Sequence, residues 1–478
     1  MSDAAEEYDV VVIGAGPTGE NVAERTVAAG LSTVIVEREL VGGSCSYWAC
    51  MPSKALLRPY AALAGAREVG GAAEAVAGRG LDVAAVLARR DGFASDWQDT
   101  AQAEWLASAG IDLVRGHGRL SGPRRVRVGD RELVARHAVA VCTGTGPLLP
   151  PLPGIEEARP WTNKEATEAQ RVPERLAIVG GGAVGAEMAA AWSALGSRVT
   201  LLMRGERPLP RFEPFAGDLV ARALEAAGVA VRPRTSVAAL RREPSGPVTL
   251  TLEGGGAGGD GEVVADEVLF ATGRAPLTSD LGLETVGLEP GSWLEVDDTL
   301  LVKGVPGEWL YCAGDTNRRA MLTHQGKYQA RVAGAAIAAR AKGEPLDTRR
   351  WGRHAATADL VAVPQVVFTH PEVGAVGLTA AEAQRGGRRV RVVDVGMDSV
   401  GGAALYADGY EGQARMVVDL DRGTLLGATF AGPGVGELLH AATIAVAGEV
   451  PVDRLWHAVP SFPTLSEVWL RLLEAYRG

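Results

Sequence analysis

Cys45 and Cys50 stand five positions apart, between the Gly42-Gly43 pair and Pro52. They are two of only four cysteines in 478 residues, too few for a framework of stapling disulfides. The chain opens on an acidic segment that runs straight into a strand pattern, without the basic and apolar regions of a secretion signal, and so reads as cytoplasmic. In that compartment a close cysteine pair points to redox work rather than to structure. Cys142 and Cys312 stand singly in apolar runs and read as small buried hydrophobes.

Two glycine-rich segments offer places for an electron carrier. The first follows the apolar strand Asp9–Ile13: Gly14-Ala15-Gly16-Pro17-Thr18-Gly19 leads into a helical pattern, then a strand over Ser32–Val36, then Glu37. Gly14, Gly16 and Gly19 permit a tight turn and close approach of a pyrophosphate to a helix N-terminus, and Glu37, 23 positions after Gly14, suits ribose hydroxyls. The second follows Leu176–Val179 as Gly180-Gly181-Gly182-Ala183-Val184-Gly185, with a helix through Leu195 and a strand over Arg198–Leu202. Here Gly180, Gly182 and Gly185 repeat the pattern, but Met203 occupies the place of the acid and Arg204, Arg207 and Arg211 follow. Guanidinium groups suit the 2′-phosphate of NADP, which a carboxylate would repel, so this site is expected to prefer NADPH to NADH.

The composition narrows the field. Hydrophobic residues at 47% and charged residues at 22% match soluble proteins, and no apolar run approaches the length of a membrane span. A net charge of −10 argues against nucleic acid as a partner. No metal site is expected. The basic residues are nearly all Arg, with five Lys in the whole chain, a compositional bias that goes with heavy use of Ala and Gly.

With these motifs in hand, the chain resembles the pyridine nucleotide-disulfide oxidoreductases of the glutathione reductase, dihydrolipoamide dehydrogenase and mercuric reductase type along nearly its whole length. The resemblance rests on the run Gly42–Leu56 with both cysteines, the two glycine motifs, Ala271-Thr272-Gly273-Arg274, Ala313-Gly314-Asp315, Phe368-Thr369-His370-Pro371-Glu372 and a closing Pro463-Thr464-Leu465-Ser466-Glu467. It implies FAD on the first fingerprint, with Glu37 on the adenosine ribose, Asp315 near the ribityl chain, and Gly43, Thr143, Gly144, Gly273 and Arg274 in cofactor-binding segments. It implies that Lys54 lies beside the flavin, paired with Glu187, where a cation stabilises the reduced ring. Cys50 would then be the flavin-facing sulfur and Cys45 the one that meets the second substrate. A helix N-terminus and a neighbouring cation favour the thiolate that such chemistry needs. Tyr47 and Trp48 depart from the small residues found between the cysteines in well-known members, and are read as packing rather than as substrate-stacking groups.

The departure with most consequence is Phe462. In disulfide-reducing members a His opens the closing motif, comes from the partner subunit and shuttles protons at the interchange thiol. A phenyl ring does neither, so an acid-base contribution of about 10²–10⁴-fold is absent there, and Glu467 is left without the His it would orient. His457 and His370 read as a surface and a structural residue. The expected activity is transfer of electrons from NADPH through FAD and the Cys45–Cys50 pair to a small non-standard acceptor, quinone-like or otherwise electrophilic. The alternatives are a disulfide reductase with another proton donor, a mercuric-type metal reductase, a flavin-to-acceptor diaphorase that bypasses the cysteines, and a lapsed redox-sensing flavoprotein. Metal reduction ranks lower because mercuric reductases use a C-terminal cysteine pair and no cysteine follows Cys312 here.

The expected architecture is α/β: two Rossmann-like dinucleotide-binding domains, for FAD and NADPH, and a C-terminal α+β dimerisation domain. Residues 1–152 and 272–345 would form the FAD domain, 153–271 the NAD(P) domain and 346–478 the interface domain of a homodimer. A helix is expected over Tyr328–Ala339, and an exposed hairpin tip over Gly254–Gly261.

Overall fold

Successive side chains of a strand point to opposite faces, so a run such as Val10-Val11-Val12-Ile13 is satisfied only in a sheet covered on both sides. The computed structural model, which describes residues 5–244, 246–254 and 261–478, provides that cover. Val10 and Val12 join Ile35, Ala138 and Ala140 in one apolar cluster; Val11 and Ile13 join Val34, Val36, Val139 and Val141 in another. The chain divides into two compact units, the first comprising residues up to Met51, Asp91–Gly146 and Arg274–Leu360, the second Pro52–Arg90, Pro147–Gly273 and Val361–Gly478.

In the first unit the central strand β1 (Glu6–Ile13) lies between β2 (Thr33–Glu37) and the long strand Arg131–Val141, all parallel, with Asp112–Arg115 beyond β2. Arg131–Val141 is used twice. Its first residues take the antiparallel strand Arg125–Val128, and Val139–Val141 take the parallel strand Leu310–Cys312. Helix α1 (Pro17–Ala28) covers the sheet together with the Thr323–Ala341 helix. These two helices approach closely because glycines face the contact: a Cβ on Gly326 would lie 2.2 Å from Thr18 Oγ1, and one on Gly334 would lie 2.6 Å from Arg25 Cβ. The helix expected over Tyr328–Ala339 therefore starts earlier, at Thr323. Its first turn, Thr323-His324-Gln325-Gly326, gives no apolar periodicity, although Gln325 and Gly326 are buried.

The second unit contains a four-stranded parallel sheet in the order Ala230–Arg232, Arg198–Leu202, Arg175–Val179, Glu267–Phe270, with the Ala183–Ala194 helix between its first two strands in sequence. Beside these elements in the chain are a three-stranded antiparallel sheet and, after Val361, a five-stranded antiparallel sheet with its helices. The architecture is thus the expected one, two dinucleotide-type parallel sheets and a C-terminal α+β portion. Residues 255–260 of the expected hairpin tip lie outside the described residues. Among the described residues no helix is long and apolar enough to cross a membrane.

The two glycine turns are built alike. Gly14 has φ +102° and Gly180 φ +120°, and a Cβ would come within 2.5 Å of the Cys142 carbonyl oxygen in the first and 2.4 Å of that of Ala271 in the second. A Cβ on Gly19 would meet the Gly14 carbonyl oxygen at 1.9 Å, and one on Gly185 that of Gly180 at 1.8 Å. Gly182 differs: its φ is −74° and nothing lies within 4 Å of the Cβ position. The fold requires glycine at 185 but not at 182. Gly185→Ala should cost about 1–3 kcal/mol through overpacking and lower the melting temperature by several degrees. Gly182→Ala should melt like the native protein yet lose stabilisation by added nicotinamide nucleotide, which paired thermal melts with and without nucleotide would reveal.

Candidate functional site

Two backbone contacts place the cysteine segment against the first fingerprint. The Gly42 N–H donates to the Ala15 carbonyl at 2.8 Å, and Gly43, at φ +59°, lies so near Gly16 that a Cβ would stand 2.8 Å from its Cα. From there the short helix α2 (Gly43–Tyr47) carries Cys45, and Cys50 opens α3 (Cys50–Arg67). Both are half-buried thiols not joined in a disulfide. Thr323 stands between them: its hydroxyl donates to Cys45 Sγ at 3.1 Å and lies 3.2 Å from Cys50 Sγ. One hydroxyl that can donate to one sulfur while accepting from the other links the two proton sites. The Cys50 sulfur, together with burial, raises the Cys45 thiol well above its ordinary value, and Thr323 and the charge of Lys327 pull it back down.

Tyr47 and Trp48 are packed inside. Tyr47 is wholly buried, its hydroxyl donating to the Val41 carbonyl at 3.0 Å, and its ring stands 5.7 Å from that of Trp48. Burial pushes the Tyr47 hydroxyl up to about 12. Cys142 and Cys312 are buried in separate clusters, and burial raises both thiols.

A cleft opens beside the first fingerprint, lined by Gly14, Glu37, Arg38, His117, Thr143 and Leu277 among others. Both Glu37 oxygens accept backbone N–H groups, from Ala15 and from Glu39, each at 2.7 Å, so the carboxylate is held rigid at the end of β2. Asp315 is held by the Thr145 hydroxyl at 2.8 Å, with Arg274 Nε 3.9 Å away, and burial raises its carboxyl. Burial likewise lowers Arg274, whose guanidinium donates to the Thr145 hydroxyl and carbonyl. Thr316 fastens the Thr143-Gly144 turn by donating to the Gly144 carbonyl at 3.0 Å. The glycine turn left open for a pyrophosphate, the cleft and the two carboxylates fit FAD.

In the second unit Lys54 Nζ and Glu187 Oε2 form an ion pair at 2.7 Å, and Glu187 Oε1 accepts the Phe368 N–H at 3.0 Å. The Phe368 ring lies 5.0 Å from the ammonium. Arg207 is engaged by Asp218 at 2.8 Å, whereas Arg204 and Arg211 are exposed with no ion-pair partner among the described residues. Met203 packs against Gly181, and the Leu209 N–H closes the loop onto the Gly181 carbonyl at 2.7 Å. Gly273, at φ +141°, accepts the Leu148 N–H at 3.0 Å. Phe462 is 80% exposed, and both its ring and Glu467 border Gly401, while Glu467 Oε2 accepts the Gly402 N–H at 3.3 Å. His370 pairs with Glu68 at 2.6 Å and His457 is exposed.

Two residues of the dithiol's surroundings were not read from the sequence: Thr323 and Lys327. Neither belongs to a motif. The usable signals were Thr323's position at the head of a helix eight residues after Asp315, and a lysine at 327 in a chain with only five.

Twin fingerprints with a dithiol beside the first define a protein that passes electrons between a nucleotide and sulfur. The chain belongs to the pyridine nucleotide-disulphide oxidoreductases: the model of that family matches residues 8–330, and that of its dimerisation domain residues 363–472. It is 33% identical over 491 residues to a dihydrolipoyl dehydrogenase of Synechocystis, covering 98% of each chain, and 30% identical over 470 residues to a mercuric reductase of Staphylococcus aureus, covering 96% of this chain and 81% of that one. Among solved structures the flavoprotein disulfide reductase RclA of Escherichia coli has the same fold, with a TM-score of 0.81 at 22% identity over 98% of this chain and 99% of that one. The protein is therefore an FAD-dependent oxidoreductase that uses a pyridine nucleotide.

Thr323→Val removes the hydroxyl between the sulfurs. A hydrogen bond to a charged group contributes about 1.5–3 kcal/mol, so carbamidomethylation of reduced Cys45 at neutral pH should slow by about tenfold or more. Thr323→Ser should restore it; equal rates in all three proteins would show that the hydroxyl does not tune the pair.

Proposed function

We propose that the protein is an NADPH-dependent reductase that delivers electrons through Cys45 and Cys50 to a small acceptor, quinone-like or otherwise electrophilic, rather than to an ordinary disulfide. Phe462 carries this reading. It stands where disulfide-reducing relatives of the resembled type place the proton-shuttling His, and its ring can neither give nor take a proton. FAD, when bound, supplies the two-electron relay between the reduced nicotinamide and the dithiol. Glu37 and Asp315 would hold hydroxyls of that cofactor, Gly14, Gly16 and Gly19 would admit its pyrophosphate, and the Lys54–Glu187 pair would present a fixed cation. Reduction breaks the bond between Cys45 and Cys50: two electrons and one proton arrive, and one sulfur becomes a thiolate, the other a thiol. Thr323 can pass that single proton between them. The family's dimerisation domain supports a homodimer in which Phe462 serves the other subunit's site.

Preference for NADPH rests on Arg204 and Arg211, exposed and without an ion-pair partner among the described residues, beside a fingerprint whose acid is replaced by Met203. A second reading, reduction of a thiol-binding metal ion, also follows from Phe462, since an ion held by two sulfurs needs no proton shuttle; relatives named mercuric reductases favour it.

Cys45→Ser should abolish turnover of the physiological acceptor while the flavin is still reduced by NADPH; undiminished turnover of a quinone panel and of Hg(II) would remove the dithiol from the path. Phe462→His, with Glu467 already in place, should raise disulfide reduction by about tenfold or more, toward the range of general acid-base catalysis. Arg204→Ala with Arg211→Ala should lower kcat/KM for NADPH by about 10–100-fold, the loss of one to two charge-assisted contacts, and spare NADH.

A further inference from the structure

We propose that the turn of residues 368–371 is a clasp on α3 that fixes the Lys54 cation, with Phe368 as the residue that positions it. The inference deepens the reading above and rests on Lys54 lying beside the flavin. The turn joins two antiparallel strands, Pro364–Val367 and Glu372–Gly377, and Val367 pairs with Val373 across its base. It meets α3 and the residue just past it in two places. At one, the Phe368 N–H donates to Glu187 Oε1 at 3.0 Å, while the Phe368 ring lies 5.0 Å from Lys54 Nζ, itself 2.7 Å from Glu187 Oε2. One residue thus holds both members of the ion pair, the carboxylate through its backbone and the ammonium through its ring. At the other, His370 Nε2 is 2.6 Å from Glu68 Oε1, just beyond the end of α3, and the His370 ring meets that of Tyr60 edge-on at 6.2 Å.

The partners come from three separate stretches of the second unit: α3, the Ala183–Ala194 helix and this hairpin. Glu187 is buried, but the Lys54 side chain keeps 35% of its surface. An ammonium on a flexible four-carbon stem is poorly fixed by a partly exposed ion pair. A carboxylate on one side leaves it free to swing about that contact. An aromatic face on another side attracts the cation without taking a hydrogen bond, so it narrows the position and leaves N–H groups for other partners. Core packing does not account for Phe368: the buried Val367 and Val373 on either side of the turn supply that, and Phe368 is exposed.

A cation held beside the flavin favours the anionic reduced ring. Removal of the phenyl face lets the ammonium swing away, and the reduced flavin loses part of that support. An exposed cation–π contact corresponds to a factor of about two to five in population, which sets the size of the effect.

The test uses the FAD-loaded protein and two readouts. With five lysines in the chain, isotope-labelled reductive methylation, which keeps the charge, gives a spectrum in which the Lys54 signal can be assigned by its loss in Lys54→Arg. Phe368→Leu, which retains an apolar side chain and the backbone N–H, should move that signal toward the position of free dimethyl-lysine as the ring current is lost; Phe368→Tyr should hold it. The second readout is the reduction equilibrium of the flavin against a reference dye, in a Cys45→Ser and Cys50→Ser background where the flavin is the one redox centre. There Phe368→Leu should shift the equilibrium toward oxidised flavin by about two- to fivefold. Phe368→Tyr should restore it, and Phe368→Leu should add nothing to Lys54→Met. His370→Ala, which frees the other end of the clasp, should move both readouts in the same direction as Phe368→Leu. A Lys54 signal unmoved by Phe368→Leu, a flavin shift that persists beside Lys54→Met, or the full effect in Phe368→Tyr would overturn the proposal. Phe368→Met serves if Phe368→Leu fails to fold. A Lys54 signal that moves while the flavin equilibrium does not leaves the clasp standing and removes Lys54 from the flavin; an unmoved signal with electron transfer intact removes the clasp alone.

Discussion

The contact between α1 and the Thr323–Ala341 helix is the constraint on which the dithiol depends. Gly326 and Gly334 let the two helices approach within the space of a missing methyl group, since a Cβ at either would overlap Thr18 or Arg25. At that separation Thr323 reaches both sulfurs. The same helix also sends Gln329 to the turn before Asp315, its Oε1 accepting the Gly314 N–H at 2.7 Å and the Asn317 amide at 2.8 Å. The sulfur geometry and the turn that carries Asp315 are therefore fixed by one helix. Interiors are close-packed, so a small displacement there is transmitted rather than absorbed.

The two glycine turns solve the same steric problem to within 0.1 Å in both of their tight contacts. What separates them begins one strand later. Glu37 is clamped by two backbone N–H groups at the end of its strand, whereas Met203, buried at the equivalent place, fills space against Gly181, and arginines rather than an acid follow it. The backbone shape of the two turns is shared and the charge beyond them is not.

The fingerprints and the cysteine pair were legible in the sequence because their constraints are local. A glycine that would place its Cβ 1.9 Å from a carbonyl oxygen five residues away leaves a mark at a fixed offset. The parallel sheets were legible for the same reason, through uninterrupted apolar runs such as Val10–Ile13. Thr323 was not, because its partners lie 278 and 273 positions away and a lone threonine carries no pattern. The early start of the Thr323–Ala341 helix escaped the apolar periodicity because its first turn is polar, with Thr323 on the sulfurs, Gln325 on Asp359 and Gly326 against Thr18. Arg207 looked equivalent to Arg204 and Arg211 until Asp218, eleven residues on, was seen to hold it.

The double use of the Arg131–Val141 strand bears on how the chain is made. Its end, Val139–Val141, stays an open edge until Leu310–Cys312 arrives, and the helix covering one face is complete only at Ala341. The four-stranded parallel sheet of the second unit closes much sooner, when Glu267–Phe270 pairs with Arg175–Val179. During synthesis from the N-terminus the inserted nucleotide module can therefore fold while the unit that brackets it in sequence still waits for its last strand. The dithiol, placed early in the chain, meets Thr323 only after that later closure, so the cysteines are synthesised long before the surroundings that govern their chemistry exist.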